Sequence, residues 1–416
     1  MTIRIRPAAD ADWAFHADAA AVLEALAARR HGAALREYFG AAVHAELTRL
    51  AGVAAKTRVR RGTPRILIVP GIMGTKLAGS AGARRPPRVL WLDPGCIGTG
   101  GMQALALPAG RALRPAGIVP LSYARLKLEL QIHGFDAEFH AYDWRLGLDE
   151  SGTALAARIA AETKPVILVG HSMGGLVARM AAAMLPQQRV RSLILLGTPN
   201  FGSYAPVMAI RGTYPFVRRL AMLDLAHSPE FLAKNVFATF PGLYQLLPER
   251  RSSAEIDLYD AARWPAAGPV PNPELLGKIA AVRARLAPAD ARMLQIIGVD
   301  RQTVVGVSRA GRQFVYTISR NGDGTVPRAR ALLPGLRTYY VDEWHGQLAN
   351  NGRVIRAIIE LLRRGRTRAL PQHWTVRRAR RERIDDTSLR AGDGPKIDWR
   401  RLDAEQRTAT IEELHR

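Results

Sequence analysis

The sequence predicts an α/β fold, in which a mostly parallel sheet is covered by helices on both faces. Between residues 65 and 200, short apolar runs typical of buried strands alternate with longer runs at helical spacing. This alternation indicates a parallel sheet, because each pair of parallel strands needs a helical crossover. The rhythm stops at residues 203–290, where aromatic residues and prolines are scattered, and a strand-like run returns at residues 293–299. We therefore predict a cap inserted into the sheet region.

The 416 residues divide into five predicted segments. They are a helical N-terminal extension (1–62), the first part of the core (63–202), a cap or lid insertion (203–290), the last part of the core (291–363) and a basic C-terminal extension (364–416). Residues 382–395 lack a clear apolar pattern, so we expect part of the C-terminal extension to be disordered. Because 48% of the residues are apolar, there is ample material for one large core.

A sharp strand-to-helix turn is predicted at Gly170-His171-Ser172-Met173-Gly174, directly after the apolar run at residues 165–169. Glycines at both ends of a G-x-S-x-G motif allow a tight turn that lifts the serine hydroxyl out of the sheet. The start of the following helix supplies N–H groups that suit a developing oxyanion. We therefore predict that Ser172 is a nucleophile, and a purely structural turn is the alternative.

An acid and then a histidine follow the serine in hydrolases built on this turn. His345 follows a last-strand pattern at residues 336–341 and precedes a helical run, so it is the predicted general base. His227 falls in the predicted cap, where a solvated histidine is the simpler interpretation. His373 and His415 belong to the charged tail.

The predicted acid is Asp323, which lies between two glycines within residues 321–327. A carboxylate on such a tight loop can turn toward an imidazole, hold the His345 tautomer and stabilise the imidazolium. Asp-Gly is also common turn chemistry, so an ordinary turn is the alternative. Asp342 and Glu343 are the other candidate acids because they lie close to His345 in sequence.

A second backbone donor is predicted in the loop Pro70-Gly71-Ile72-Met73-Gly74, which follows a buried-strand run. Gly71 and Gly74 would let this loop approach a bound carbonyl closely. We predict that the amides of Ile72 and Met173 form an oxyanion hole. A simple strand-to-loop turn is the alternative.

Seven short motifs stand in one order within residues 65–362: residues 70–74, 142–145, 170–175, 197–199, 240–248, 322–327 and 345–346. Together they resemble the lecithin:cholesterol acyltransferase family, whose relatives include lysosomal phospholipase A2 and the phospholipid:diacylglycerol acyltransferases. The resemblance implies an α/β-hydrolase fold with a mostly parallel central sheet, a lid and a Ser172, Asp323 and His345 triad. It also implies oxyanion positions at Ile72 and Met173.

The same resemblance implies cleavage of an acyl group from a glycerophospholipid or similar ester, followed by transfer of the acyl group to an alcohol or to water. Trp91 resembles the tryptophan of the family's membrane-facing loop, and Gly71, Tyr142 and Asp143 belong to matched motifs expected near the substrate. The triad alone does not separate lipid O-acyltransferase from lipase or phospholipase activity. A simple carboxylesterase, or a catalytically retired hydrolase fold that binds anionic membrane or nucleic acid, is the alternative.

The chain carries 60 Lys and Arg residues against 36 Asp and Glu residues, a net charge of +24. The basic residues cluster at Arg58, Arg60 and Arg61, at Arg84, Arg85 and Arg88, at Arg363, Arg364, Arg366 and Arg368, and at Arg377, Arg378, Arg380, Arg381 and Arg383. A positive surface attracts anionic phospholipid, so we expect peripheral contact with a membrane surface. Compositional bias is the alternative explanation. The lack of a recognised nucleic-acid motif disfavours nucleic acid as a partner.

The single cysteine, Cys96, indicates independence from disulfides, unlike the secreted members of the family. Runs of about 18 apolar residues and a signal-peptide core after Arg4 and Arg6 are both missing. We therefore expect a cytoplasmic protein at or near the inner membrane surface. The histidine spacing matches no metal motif and there is no phosphate-binding glycine loop, so no metal or cofactor is predicted.

Overall fold

The computed structural model describes residues 12–60, 62–79, 89–108, 113–375, 381–391 and 394–414. Its strands are β1 (Ile66–Val69), β2 (Thr75–Gly79), β3 (Val89–Trp91), β4 (Leu113–Ile118), β5 (Ala137–Phe139), β6 (Val166–His171), β7 (Val190–Leu196), β8 (Met293–Val299), β9 (Thr303–Ala310), β10 (Gln313–Ser319), β11 (Arg337–Asp342) and β12 (Glu382–Asp385). Its helices are α1 (Trp13–His16), α2 (Ala19–Ala27), α3 (Gly32–Phe39), α4 (Ala41–Ala54), α5 (Pro94–Gly98), α6 (Pro120–Ile132), α7 (Leu148–Ala160), α8 (Met173–Ala183), α9 (Ala205–Ile210), α10 (Pro215–Leu223), α11 (Pro229–Asn235), α12 (Pro241–Tyr244), α13 (Pro273–Arg283), α14 (Arg328–Ala331), α15 (Gly352–Arg364), α16 (Asp386–Arg390) and α17 (Ala404–Leu414).

Some residues singled out in the sequence lie outside the described ranges. They are Arg4, Arg6, Arg61, Arg84, Arg85, Arg88, Arg377, Arg378, Arg380 and His415.

The main sheet has the strand order β11-β8-β7-β6-β1-β5, and all of its neighbouring strands are parallel. The predicted mostly parallel sheet is therefore confirmed. Because parallel strands end at the same edge of a sheet, the loops after β1, β6, β8 and β11 meet there. The predicted nucleophile, base and oxyanion loop all lie at this edge.

Helices cover the main sheet on both faces. Successive strand side chains point to opposite faces, so Ile66 and Ile68 of β1 join one apolar cluster while Leu67 and Val69 join the other. The first cluster contains residues of α6 and α15, and the second contains residues of α7 and α8. This two-sided burial explains why the central strands read as unbroken apolar runs. Among the described helices, none is long and apolar enough to cross a membrane.

In the described part of the N-terminal extension, α2 and α4 pack against α6, α3 packs on α4, and α1 packs on α3. Asp18 begins α2 by accepting a hydrogen bond from the Ala21 amide at 2.7 Å. On α3, Glu37 pairs with Arg407 of α17 at 3.2 Å, so the N-terminal and C-terminal extensions are in contact.

The C-terminal extension differs from the expected partial disorder at residues 382–390. Strand β12 pairs antiparallel with β10, and α16 follows it directly. A backbone ladder and a buried ion pair hold this segment, so it needs no apolar stripe of its own. The ion pair joins Asp386 of α16 to Arg211 at 2.8 Å, and both side chains are fully buried.

Replacing Asp386 with alanine is expected to lower the free energy of unfolding by about 3–5 kcal/mol, because it leaves the Arg211 guanidinium buried without its carboxylate. The loss is increased by the removal of the acceptor for the Tyr316 hydroxyl, 2.8 Å away. Urea unfolding followed by circular dichroism measures the change. Glu24→Ala, which breaks the exposed pair with Arg30, is the control and should cost less than about 1 kcal/mol. Equal losses in the two variants would contradict the prediction.

Candidate active site

Ser172 lies at the turn between β6 and α8, in a backbone conformation that non-glycine residues rarely adopt. Its φ is +53° and its ψ is −126°. The Ser172 amide donates a hydrogen bond to the Leu196 carbonyl at 2.9 Å, which ties the turn to β7. Strain of this kind persists only where the surrounding structure holds it, and it clusters at functional sites.

The glycines beside Ser172 are required by close packing. A Cβ at Gly170 would lie 2.6 Å from the Gly175 Cα, closer than real side chains approach. A Cβ at Gly174 would overlap the Val69 and Pro70 carbonyl oxygens at the end of β1. The G-x-S-x-G spacing therefore reflects the space between β6, α8 and β1 as well as the turn itself.

The structure brings His345 to Ser172. His345 begins a short 3₁₀ segment (His345–Gln347) after β11, and its Nε2 lies 2.8 Å from the Ser172 Oγ. Ser172 is 6% exposed, so most of the bulk solvent is kept from this contact. The arrangement allows the imidazole to accept the serine proton.

Asp323 lies on the opposite side of the His345 ring. Its Oδ2 accepts from the His345 Nδ1 at 2.7 Å, and its Oδ1 accepts from the amides of Thr325 at 3.0 Å and Val326 at 2.7 Å. The Asp323 carbonyl also accepts from the His345 amide at 2.7 Å. Both carboxylate oxygens are thus engaged, so the carboxylate is fixed in orientation and the imidazole proton is held on Nδ1.

The other candidate acids and histidines point elsewhere. Asp342 pairs with Arg301 at 2.9 Å, and Glu343 accepts from the Asn351 side chain at 2.9 Å. His227 pairs with Asp224 in the cap at 2.9 Å. His373 is exposed to solvent.

The loop after β1 packs directly against the serine. A Cβ at Gly71 would lie 2.9 Å from the Ser172 Cβ, so only glycine allows this approach. Ile72 lines the same cavity as Ser172, whereas the Met173 side chain is fully buried behind it. Within the described chain, neither the Ile72 nor the Met173 amide donates a hydrogen bond, so both are free to bind an oxyanion.

Trp91 supports the loop after β1. This buried position differs from the membrane-facing position that the resemblance implied. Its side chain is 1% exposed, and its Nε1 donates to the Met73 carbonyl at 2.7 Å. Its ring packs against Trp144 and Phe216, which keep it from the surface. One edge of Trp91 lines the cavity, so it contributes to both the loop and the pocket.

Tyr142 and Asp143 lie behind the site and are not among the residues that line its cavity. The Tyr142 hydroxyl donates to the Pro70 carbonyl at 2.9 Å. Asp143 forms a buried ion pair with Arg145 at 2.6 Å, and Arg145 also donates to the Leu105 carbonyl. These two residues therefore fix loops around the site, at a distance from any substrate.

A buried network that the sequence did not reveal joins the loops around Ser172. The Gly71 amide donates to the Tyr123 hydroxyl at 2.9 Å, and this hydroxyl lies 2.8 Å from the His171 Nδ1. The His171 Nε2 lies 3.0 Å from the His345 carbonyl, to which it donates. One hydrogen-bonded chain thus links the loop after β1 with the loop that carries the general base. His171 could have been noticed in the sequence because it stands beside Ser172, whereas nothing in the sequence around Tyr123 on α6 indicated its role.

Acidification is expected to reduce stability through His171. Burial, aided by the charge of His345, lowers the pKa of His171 to about 3. An unfolded histidine titrates near pH 6.5, so the unfolded chain binds this proton first as the pH falls. The free energy of unfolding should then decrease below about pH 6.5, by up to about 1.4 kcal/mol per pH unit from this group.

Urea unfolding of the native protein and of His171→Asn at about pH 5 and about pH 7.5 tests this expectation. The stability advantage of the native protein should shrink at the lower pH, whereas the contributions of groups common to both proteins cancel. An advantage that stays constant with pH would show that His171 is not the responsible group.

A cavity opens at Ser172 and His345, and its walls are mostly apolar. The cap contributes residues from α9 and α10 and from the segment around α12, and the core contributes the loop after β1. Its apolar lining includes Ile72, Met73, Trp91, Leu92, Val119, Ala205, Pro206, Phe216, Leu243, Leu246 and Val326. Such a cavity suits an acyl chain.

The C-terminal helix α17 also reaches this cavity. Leu414 lines its wall and is 5% exposed. The helix is held by Thr408, whose hydroxyl donates to the Glu37 carbonyl on α3 at 2.7 Å. The C-terminal extension, interpreted from sequence as a charged tail, thus completes the pocket.

No group of three His, Cys, Asp or Glu side chains in the described ranges is placed to hold a metal ion. Cys96, the single cysteine, is buried.

Comparisons with known proteins agree with this fold. The family described as alpha/beta hydrolase fold matches residues 158–256, which include the turn at Ser172. Three curated relatives, each named pimeloyl-[acyl-carrier protein] methyl ester esterase, come from two strains of Xanthomonas oryzae pv. oryzae and from Xanthomonas axonopodis pv. citri. Each is 38% identical over 98 residues, which are 24% of this chain and 38% of the relative's length.

Among solved structures, the mature form of the Bacillus licheniformis lipase BlEst2 is 15% identical. The match has a TM-score of 0.37 and covers 73% of this chain and 94% of that chain. The Tle4–Tli4 complex is also 15% identical, has a TM-score of 0.48, and is matched over 73% of this chain and 99% of that chain.

The parallel sheet order, the strand-to-helix turn at Ser172 and the family match over that turn lead to one conclusion. The chain has the α/β-hydrolase fold.

Proposed function

We propose that this protein is a serine-dependent hydrolase of apolar carboxylic esters that works through an acyl-enzyme. The observation that carries the proposal is the hydrogen-bonded series from Ser172 to His345 to Asp323, with contacts of 2.8 and 2.7 Å, at the base of an apolar cavity. A hydrolase fold that had lost its activity would not need to retain both this hydrogen-bonded series and the close packing of the Gly71 loop.

The proposed reaction begins when the His345 Nε2 takes the proton of the Ser172 hydroxyl. The serine Oγ then forms a bond to the ester carbonyl carbon, and the amides of Ile72 and Met173 bind the resulting oxyanion. As the intermediate collapses, the carbon–oxygen bond to the leaving alcohol breaks, and that alcohol receives the proton from His345. In a second cycle, His345 takes a proton from water while the water oxygen attacks the acyl carbon. The bond between that carbon and the serine Oγ then breaks, the acid is released, and Ser172 receives the proton from His345.

The proposed substrate is a lipid ester. The apolar walls that cap and core share would bury an acyl chain, and the motif resemblance to the lecithin:cholesterol acyltransferase family favours a glycerophospholipid donor. Association with an anionic membrane through the basic surface is part of the same proposal, since the net charge of +24 would concentrate the protein there.

Transfer of the acyl group to an alcohol is the second candidate. The 6% exposure of Ser172 favours it, because a site shielded from bulk water gives a bound alcohol an advantage over water as the acceptor. The triad serves either acceptor.

The experiment is a fluorophosphonate labelling of the purified protein, with the labelled peptide identified by mass spectrometry. It is followed by incubation with acyl-labelled phospholipid vesicles and a long-chain alcohol. Labelling of the peptide that contains Ser172 together with free fatty acid would support the hydrolase, and new ester would support transfer. Vesicle binding without labelling or turnover would instead indicate a catalytically retired fold.

A further inference from the structure

One arginine lines the apolar cavity without a carboxylate partner in the part of the chain that the structure describes. Arg219 lies one helical turn after Phe216 on α10, and both side chains face the cavity that contains Ser172. Its Nε is buried from solvent and makes no hydrogen bond. Within the described chain, no carboxylate oxygen lies within 4.0 Å of the Arg219 guanidinium.

Among the described residues, Arg125 and Arg301 also have a buried Nε without a hydrogen-bond partner, but each pairs with a carboxylate through another nitrogen. Arg145 pairs with Asp143, Arg211 with Asp386, and Arg330 with Glu255, at 2.6, 2.8 and 3.0 Å. The neighbouring Arg218 donates to the Gly212 carbonyl at 3.2 Å, so it serves the packing of the cap. Arg219 therefore differs from these arginines because it faces the cavity and has no carboxylate partner among the described residues.

The position of Arg219 in the cavity wall is unfavourable for its charge. Burial lowers the pKa of Arg219, and the hydroxyl of Tyr214 and the carboxylate of Glu413 act weakly in the opposite direction. Arg219 is partly buried, and an arginine in such a place stays charged, so an anion that binds it would offset the loss of its hydration.

The polar part of the cavity wall is continuous with the candidate catalytic residues. Tyr214, directly before α10, interacts with the Thr325 side chain, and Thr325 follows Asp323 by two residues. Arg219, Tyr214 and Thr325 all line the cavity. Among the described residues that line the cavity, Arg219 is the one arginine or lysine that an ester held at Ser172 would meet.

We propose that Arg219 forms an anion subsite, and that the ester substrate carries a negatively charged group which this guanidinium binds. The proposal rests on the proposed function, because it concerns the substrate of the same site. Two kinds of anionic group match the chemistry: the phosphodiester of a phospholipid on the alcohol side, or a terminal carboxylate on the acyl side. A guanidinium binds either group through paired N–H donors.

Two substrate pairs, each with one anionic and one neutral member, test the subsite. The first is the mono-p-nitrophenyl ester of octanedioic acid against p-nitrophenyl octanoate. The second is a phospholipid against a diacylglycerol with the same acyl chains, in mixed micelles. For each pair, the ratio of kcat/KM values is measured in the native protein and in Arg219→Gln.

We expect the native protein to prefer the anionic member of at least one pair, and Arg219→Gln to reduce that preference on the order of 10- to 100-fold. Any change in kcat/KM for the neutral member should be smaller than the change for the anionic member. Arg219→Lys should retain part of the preference. Glu413→Gln should maintain or increase it, because it removes a competing carboxylate. Arg263→Gln, at an exposed arginine of the cap, is the matched control and should leave the ratio unchanged.

A loss only in the phospholipid pair would assign the subsite to the phosphodiester, and a loss only in the dicarboxylic pair would assign it to the acyl-chain carboxylate. Equal ratios in the native protein and Arg219→Gln, or an equal fall on both members of each pair, would overturn the proposal. Absence of fluorophosphonate labelling in the native protein would instead contradict the proposed function, so the two failures are distinguishable.

Discussion

Ser172→Ala is expected to reduce kcat for ester hydrolysis by on the order of 10⁵-fold or more and to abolish fluorophosphonate labelling. The variant lacks the oxygen that attacks the carbonyl, and the backbone donors of an oxyanion hole can supply only a small residual rate. The measurement is single-turnover and steady-state kinetics on a p-nitrophenyl ester, together with labelling of the intact protein.

The fold of this variant should be preserved. Alanine keeps a Cβ at the same φ of +53°, so the backbone strain at the turn is unchanged and only the contact to the His345 Nε2 is lost. Ser203→Ala is the matched control, since Ser203 is a buried serine that lines the same cavity. Retained labelling in Ser172→Ala, or loss of labelling in Ser203→Ala, would assign the nucleophile elsewhere.

Asp323→Asn is expected to reduce kcat by about 10⁴-fold at neutral pH while changing KM little. The Asp323 carboxylate accepts from the Thr325 and Val326 amides through one oxygen and from the His345 Nδ1 through the other. An asparagine that keeps its oxygen toward the amides must present its NH₂ group to Nδ1. The imidazole proton then moves to Nε2, where it prevents acceptance of the serine proton.

Asp342→Asn is the matched control for this prediction. Asp342 is also close to His345 in sequence, but it is about half exposed and pairs with Arg301. We expect less than a few-fold change in kcat for Asp342→Asn, because an exposed ion pair contributes little energy. If Asp342→Asn lost the activity that Asp323→Asn retained, the acid would be misassigned. Thermal unfolding of both variants separates a change in catalysis from a change in stability.

The strand-to-helix turn at Ser172 could be predicted from sequence because all of its determinants are local. The apolar run before the serine and the glycines on both sides lie within ten residues, and each has a direct steric reason. The parallel sheet was predictable for a similar reason, since strands buried on both faces must be apolar at every position. The loop at Gly71 could be predicted in the same way, because it comes directly after an apolar strand-like run.

Asp323 and His345 could each be predicted from sequence as candidates, but the contact between them could not. The sequence order and the loops after strands favoured both residues, with Asp342 and Glu343 as the alternative acids. What separates them is that β11 lies beside β8, and the backbone of Asp323 accepts from the His345 amide at 2.7 Å. Such a contact joins residues 22 apart, with α14 and β11 between them in the chain.

By itself, the sequence determined the α/β class, the turn at Ser172 and the residue types available for catalysis, because these depend on patterns within a few residues. Only the tertiary structure decided which side chains face the cavity. Trp91 is buried by Trp144 and Phe216, Leu414 reaches the pocket through α17, and Arg219 faces it while Arg218 does not. The physical reason is that the burial of a side chain and the identity of its partners depend on elements that are distant in sequence. The packing of those elements leaves no periodic pattern in the sequence of the segment that they cover.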